Sequence, residues 1–175
     1  RTCFSNNLIL LMQKFIGIRT PCIGVCSTGI GDSVCRGCKR FDYEVINWNG
    51  FTQEQKSAID CRLSDLLAQV VAWRFLIFDL EKLKFQLRLQ NIFYQESRDP
   101  YCWLYELLRA GAKQIKSTND FGFQKISSFE HKNLDDLRRD IDEEFYSLSV
   151  AHYERYVLAN QQRAKVAQRE LASDE

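Results

Sequence analysis

The sequence predicts a mainly α-helical protein with a small four-cysteine, metal-bound N-terminal lobe, and an α+β variant containing a small sheet as the alternative. Three observations point there. Four of the seven cysteines fall within residues 22–38, helical spacing of apolar residues governs most of the chain beyond residue 52, and 73–95 mixes β-branched and aromatic residues in strand-length runs. The expected organisation is an N-terminal extension over 1–19, a cysteine-rich metal-binding module over 20–67, and an α-rich body with a long C-terminal helix over 68–175.

Composition narrows the function classes. With 175 residues, 45% of them hydrophobic, and a net charge of +1, the chain buries one main core, and it reads neither as disordered nor as a generally basic nucleic-acid binder. The charge is uneven: residues 134–175 hold ten Asp+Glu against six Lys+Arg, while the rest is mildly basic. No run reaches the roughly 20 apolar residues of a membrane span. Leu8–Met12 is the nearest thing to a secretory core, but Gln13 and Lys14 interrupt it and no small-residue cleavage site follows. The expected location is therefore cytoplasmic, without membrane contact. Met12 is the sole methionine, so a natural start there, with 1–11 upstream of it, is a further expectation.

The cysteines carry the most specific signal. Cys22 and Cys26 are separated by three residues, Cys35 follows after eight more, and Cys38 after a further two. Two such pairs on tight turns aim four thiolates at one centre, and Gly24, Gly29, Gly31 and Gly37 are placed to supply the turns. Disulfides suit secreted frameworks with an even cysteine count, which this is not. A redox dithiol at Cys35–Cys38 leaves Cys22 and Cys26 without a role. The expected ligands are thus Cys22, Cys26, Cys35 and Cys38. A zinc ion suits so compact a loop best, and a four-cysteine iron–sulfur cluster is the alternative cofactor. Arg19, Arg36, Lys39 and Arg40 surround the site and offset its negative charge.

The run Thr20-Pro21-Cys22-Ile23-Gly24-Val25-Cys26, then Cys35-Arg36-Gly37-Cys38-Lys39-Arg40, then Glu44, Ile46 and Trp48, resembles a short bacterial family, domain of unknown function 1289, usually labelled predicted iron–sulfur proteins. The resemblance covers about residues 20–67. It departs from the family pattern at Lys39, where glycine is common, and in the long loop Ser27–Val34. Neither departure removes a ligand.

Beyond the loop, Asp42 is placed to cap a short helix Tyr43–Trp48 whose Val45, Ile46 and Trp48 cover the metal loop, and Asn49-Gly50 turns the chain. Thr52 and Gln55 form a capping box for a helix over 53–72, with Ile59, Leu63, Leu66, Leu67, Val70 and Val71 on one face. For 73–95 the expectation is strand, helix, strand: Trp73–Phe78, a helix capped by Asp79, and Ile92–Tyr94. One long helix over 53–95 is the competitor. Asp99-Pro100 starts a helix running to about Lys116, followed by a turn at 117–120 and an extended piece at 121–126. Asp120-Phe121-Gly122 spells a kinase motif, but without its companion motifs it is a chance match. From Asn133 or Leu134 a helix runs almost to the end, its stripe formed by Leu134, Leu137, Ile141, Phe145, Leu148 and His152.

Function follows from what is present. Cys3, Cys61 and Cys102 are isolated in sequence, His152 suits a core or boundary position, and no ordered Ser-His-Asp set, paired metal carboxylates or phosphate loop occurs. An enzyme is therefore not the expected class, and no catalytic residue is assigned. The expected role is a non-catalytic interaction or accessory protein: the metal site stabilises a basic and aromatic docking lobe displaying Arg36, Lys39, Arg40, Phe41 and Tyr43 to a protein or RNA partner. An iron–sulfur redox or sensor protein using the same four cysteines is the alternative.

Overall fold

A computed structural model describes residues 18–160 together with 162 and 163. The extension before Ile18, Cys3 and the end of the expected C-terminal helix beyond residue 163 lie outside the described residues. The fold is mainly helical with one two-stranded sheet. Among the described residues no helix is long and apolar enough to cross a membrane. The chain divides into two compact units, one made of 57–145 and the other of the cysteine-rich segment up to Lys56 together with the chain from Tyr146 onward.

The elements follow local signals closely where those signals are caps. Helix α1 is Asp42–Ile46 and α2 is Gln53–Ala72. At the start of α2, Gln55 N–H donates to Thr52 Oγ1 and Thr52 N–H donates to Gln55 Oε1, the reciprocal pair the sequence announces. The expected apolar face is buried from Ile59 to Val71. Strand β1 is Phe75–Ile77 and helix α3 is Leu80–Leu89, with the Asp79 side chain accepting from Lys82 N–H. The competing single helix over 53–95 is thus excluded. Helix α4 is Pro100–Gly111, capped by Asp99 accepting from Tyr101 N–H, and it stops five residues before the expected Lys116.

The second strand is elsewhere than expected. β1 pairs antiparallel with β2, Phe123–Lys125, in the register Phe75 to Lys125 and Ile77 to Phe123. Ile92–Tyr94 is not a strand, because α3 ends in a left-handed cap. Asn91 has φ +53°, Ile92 N–H reaches back to Leu87 carbonyl and Asn91 N–H to Arg88 carbonyl. These two hydrogen bonds close the helix with a left-handed turn in place of a strand. Trp103 Nε1 then ties the following segment down by donating to Gln95 carbonyl at 2.7 Å.

The core of unit 57–145 is aliphatic and aromatic: Val71, Leu83, Leu87, Leu104, Leu108, Leu137 and Ile141 are buried, and Phe75 meets Phe123 edge to face at 5.6 Å. Arg74 crosses this core. Its guanidinium donates to Val70 carbonyl at 2.9 Å, pairs with Glu144 and lies 5.5 Å from the Phe129 ring centroid. Arg98 pairs with Asp60, and Tyr105 donates to Asp142 at 3.1 Å. Burial, reinforced by the Asp142 carboxylate, pushes the Tyr105 phenol well above its ordinary range. Cys102 is buried with its thiol donating to Ser64 carbonyl, and burial pushes it up to about 12, which makes it an inert packing cysteine.

The Asp120-Phe121-Gly122 triplet forms part of a turn. Asp120 and Phe121 end a 3₁₀ turn, and Gly122 at φ +75° accepts the N–H groups of Phe78 and Asp79 at 3.0 Å each. A Cβ on Gly122 stands 2.2 Å from Asp79 carbonyl oxygen. Gly122→Ala is therefore expected to lower stability by about 3 kcal/mol, combining left-handed strain with a backbone clash. Urea denaturation checks it, and a midpoint equal to wild type refutes it.

The last long helix, α5, is Leu134–Tyr153, followed by a wide π turn at Glu154–Leu158. Asn133 starts it, its Oδ1 accepting from Asp136 N–H at 2.8 Å. Leu134, Leu137, Ile141 and Phe145 are buried as expected, but the stripe then continues through Ser149 and Tyr153 in place of Leu148 and His152. A spacing of 3.6 makes an i, i+4 row drift round the helix.

Candidate metal centre

Residues 18–56 build the cysteine lobe. Ser27 is its buried post: its hydroxyl accepts from Arg36 N–H at 2.9 Å and its carbonyl from Ile30 and Asp32 N–H. Gly31 at φ +104° lets the long loop Ser27–Val34 turn back. Val34 then bridges to Phe41, while Cys35 N–H donates to Arg40 carbonyl and Lys39 N–H to Cys35 carbonyl, both at 2.8 Å. Residues 35–40 are thereby closed into a knuckle with both of its cysteines buried.

Lys39 stands at φ +59°, a left-handed conformation that glycine adopts without steric cost. This accounts for glycine being common at that place in the resembled family and marks the departure as local backbone strain. Gly24 has φ +86°, as a turn between Cys22 and Cys26 needs. Gly37 contributes room instead. A Cβ there stands 2.4 Å from Val25 carbonyl oxygen and 3.1 Å from Ile23, so the two cysteine-bearing turns pack directly on one another at this glycine.

The cysteines divide into two kinds. Cys35 and Cys38 interact through their thiols, and the Cys35 thiol also points at Val25 carbonyl at 3.6 Å. Burial alone pushes Cys35 up, but the backbone N–H groups of Cys38, Ser27 and Gly37, with the Cys38 thiol, outweigh it and bring the group down to about 7. Burial pushes the Cys38 thiol up, and Arg40 only partly opposes it. Cys22 and Cys26 are exposed: Gly24 N–H donates to Cys22 sulfur at 3.4 Å, and Cys26 sulfur lies 3.1 Å from Thr28 hydroxyl. Among the described residues no three His, Cys, Asp or Glu side chains converge in a metal-holding group. The structure joins Cys35 to Cys38 and leaves Cys22 and Cys26 facing outward on the apposed turn.

Whether these residues suit a thiolate-bound metal is tested by Arg40. It is 3% exposed, its Nε donates to Cys38 sulfur at 3.3 Å, and its guanidinium lies 4.7 Å from the Trp48 ring centroid. Its Nη1 is buried without a hydrogen-bond partner. A buried guanidinium is stable only against a counter-charge, and the sulfur it already touches is where a metal thiolate would supply one. The donor set fits.

The expected docking residues separate on burial. Arg36 and Tyr43 are exposed, whereas Lys39 is 2% exposed and Arg40 and Phe41 are buried with it. The reason is packing within the lobe. Lys39 Nζ donates to Gly37 carbonyl at 3.3 Å, Arg40 is held by Cys38 and Trp48, and Phe41 meets Tyr153 edge to face at 5.3 Å. Asp42 is the first residue of α1, not its cap: Phe41 precedes the helix, its N–H accepted by the Glu44 carboxylate at 2.9 Å. Ile46 is 76% exposed and covers nothing, while Trp48 is buried as expected.

One contributor was not anticipated. Tyr146, Val150, Tyr153 and Val157 pack with Val34 and Phe41 into a separate core, and Arg36 lies 5.0 Å from the Tyr146 ring centroid. Their spacing of four, three and four is a helical stripe that the dominant 134–145 stripe obscures. His152 is half-buried beside Tyr156 at 5.5 Å, and His131 lies in the loop before α5, neither of them near a ligand set among the described residues.

Fold and site together define a mainly helical protein with a compact cysteine-rich lobe. Residues 20–66 match the model of a protein family of unknown function, DUF1289. The resemblance read from the sequence is therefore borne out over that segment, and the rest of the chain lies outside the match. No curated protein and no solved structure matches the chain.

Proposed function

We propose that residues 20–66 are a metal-stapled docking lobe without catalytic activity, in which Cys22, Cys26, Cys35 and Cys38 together hold one zinc ion and the lobe presents itself to a protein partner. The carrying observation is Arg40, a buried cation whose Nε rests on Cys38 sulfur and whose Nη1 has no partner. The direct packing of the two cysteine turns at Gly37 supports it as well. Closing the site asks Cys22 and Cys26 to turn inward on the Gly24 turn. A bound zinc ion supplies a tetrahedral anchor with every position filled by protein, so no place is left for substrate.

A protein partner is preferred over RNA because the lobe spends Lys39 and Arg40 internally and exposes Ile23, Val25, Ile30 and Ile46. Stacking and phosphate contacts need accessible cations and rings. Elemental analysis with a visible spectrum tests the metal: one zinc per chain in a colourless protein is expected. Brown protein absorbing near 400 nm and bleached by dithionite would replace zinc with the iron–sulfur alternative. Protein without metal after native purification would end both.

A further inference from the structure

The small core of the lobe ties the end of α5 to the flanks of the cysteine knuckle. Val34 and Phe41 stand immediately before and after residues 35–40, joined by an antiparallel bridge and 1% and 4% exposed. Tyr153 completes a buried cluster with them, and Tyr146, Val150 and Val157 pack against it. The Tyr153 ring meets Phe41 edge to face at 5.3 Å, and Arg36, inside the knuckle, places its guanidinium 5.0 Å from the Tyr146 ring centroid. Every lobe residue named in this contact therefore lies within the knuckle or next to it.

We infer that residues 146–157 are a metal-dependent latch, docked on Val34 and Phe41 while the cysteines hold their metal and released when it is lost. This rests on the metal-stapled reading proposed above. The knuckle is the physical link, since it carries Cys35 and Cys38 and its hydrogen bonds, Cys35 N–H to Arg40 carbonyl and Lys39 N–H to Cys35 carbonyl, hold its two ends in place. In so small a lobe metal binding is coupled to folding. Losing the metal frees the knuckle, and with it the placement of Val34 and Phe41 on which the stripe rests. The released segment is then a helix end without its packed face, and short helical segments hold in water mainly through such packing. Docked and released are two states biased from both sides, so the coupling is reciprocal: the factor by which metal favours docking is the factor by which docking raises metal affinity.

The test compares the full chain loaded with zinc and stripped by a chelator, using peptide-resolved hydrogen exchange. Residues 146–157 are expected to lose protection on stripping and to regain it when zinc alone is added back. The first turns of the same helix, which belong to the other unit, should keep theirs. Tyr153→Ala should weaken zinc binding by about 10-fold in competition with a chromophoric chelator. Tyr156→Ala, at a half-exposed position outside the stripe, should not. If circular dichroism shows Tyr153→Ala misfolded, Val150→Ala decides in its place. Equal protection of 146–157 in both forms overturns the latch and leaves the metal reading standing. So does a loss that spreads equally through 57–145, which is general unfolding, and so does a zinc affinity indifferent to the stripe. Protein that takes up no zinc ends both readings.

Discussion

Cys38→Ser is expected to leave the protein with less than a tenth of its metal and with residues 20–50 unprotected against hydrogen exchange. Structural zinc contributes on the order of 10–16 kcal/mol to small four-ligand sites, comparable to the roughly 5–15 kcal/mol of a whole domain's stability. A lobe of this size therefore cannot hold its fold on the remaining contacts. Cys38 is also the sulfur on which Arg40 Nε rests, so if it is held as a metal thiolate, as proposed, the substitution also removes the counter-charge of a buried cation. Cys61→Ser is the control, since Cys61 lies on α2 in the other unit and is not among the four expected ligands, and it should keep both metal and protection. Metal analysis and peptide-resolved exchange read the outcome. Full metal content in the Cys38 variant would remove this cysteine from the site.

What could be read in the sequence divides along the reach of the interactions. Caps are local, so Thr52 with Gln55, Asp79, and Asp99 with Pro100 announced three helix starts that the structure reproduces. Strand pairing is not local: Ile92–Tyr94 has the composition of a strand, yet the left-handed Asn91 removes it and β1 finds Phe123–Lys125 nearly fifty residues on. In the lobe, the family resemblance carried by the cysteine spacing and the burial of Trp48 were legible, and the family match over 20–66 falls on the same residues. The burial of Lys39 and Arg40 was not, because charge places such residues at the surface by default. Only the proximity of Cys38 sulfur and the Trp48 ring, a fact of three dimensions, draws Arg40 inward.

Gly37→Ala isolates the packing of the lobe from its chemistry, because it keeps all four cysteines and adds a single methyl group. That methyl would lie 2.4 Å from Val25 carbonyl oxygen and 3.1–3.3 Å from the Ile23 side chain. Ile23 has rotamers with which to yield, but the carbonyl is backbone, so the turn bearing Cys22 and Cys26 must move off the turn bearing Cys35 and Cys38. Overpacking of this kind costs about 1–3 kcal/mol where side chains give way, and a backbone obstacle places the expected loss at about 3 kcal/mol. Since a metal held by both turns depends on their separation, its affinity should fall by about 100-fold, the equivalent of that loss taken largely in the bound state. Competition with a chromophoric chelator measures the affinity, and thermal denaturation of the metal-loaded protein measures the stability. Gly31→Ala is the informative comparison: a Cβ at Gly31 meets nothing within 4 Å, so that change bears left-handed strain of about 1 kcal/mol and leaves metal affinity nearly intact. If both glycine variants lose metal to the same degree, contact between the two cysteine turns is not what shapes the site.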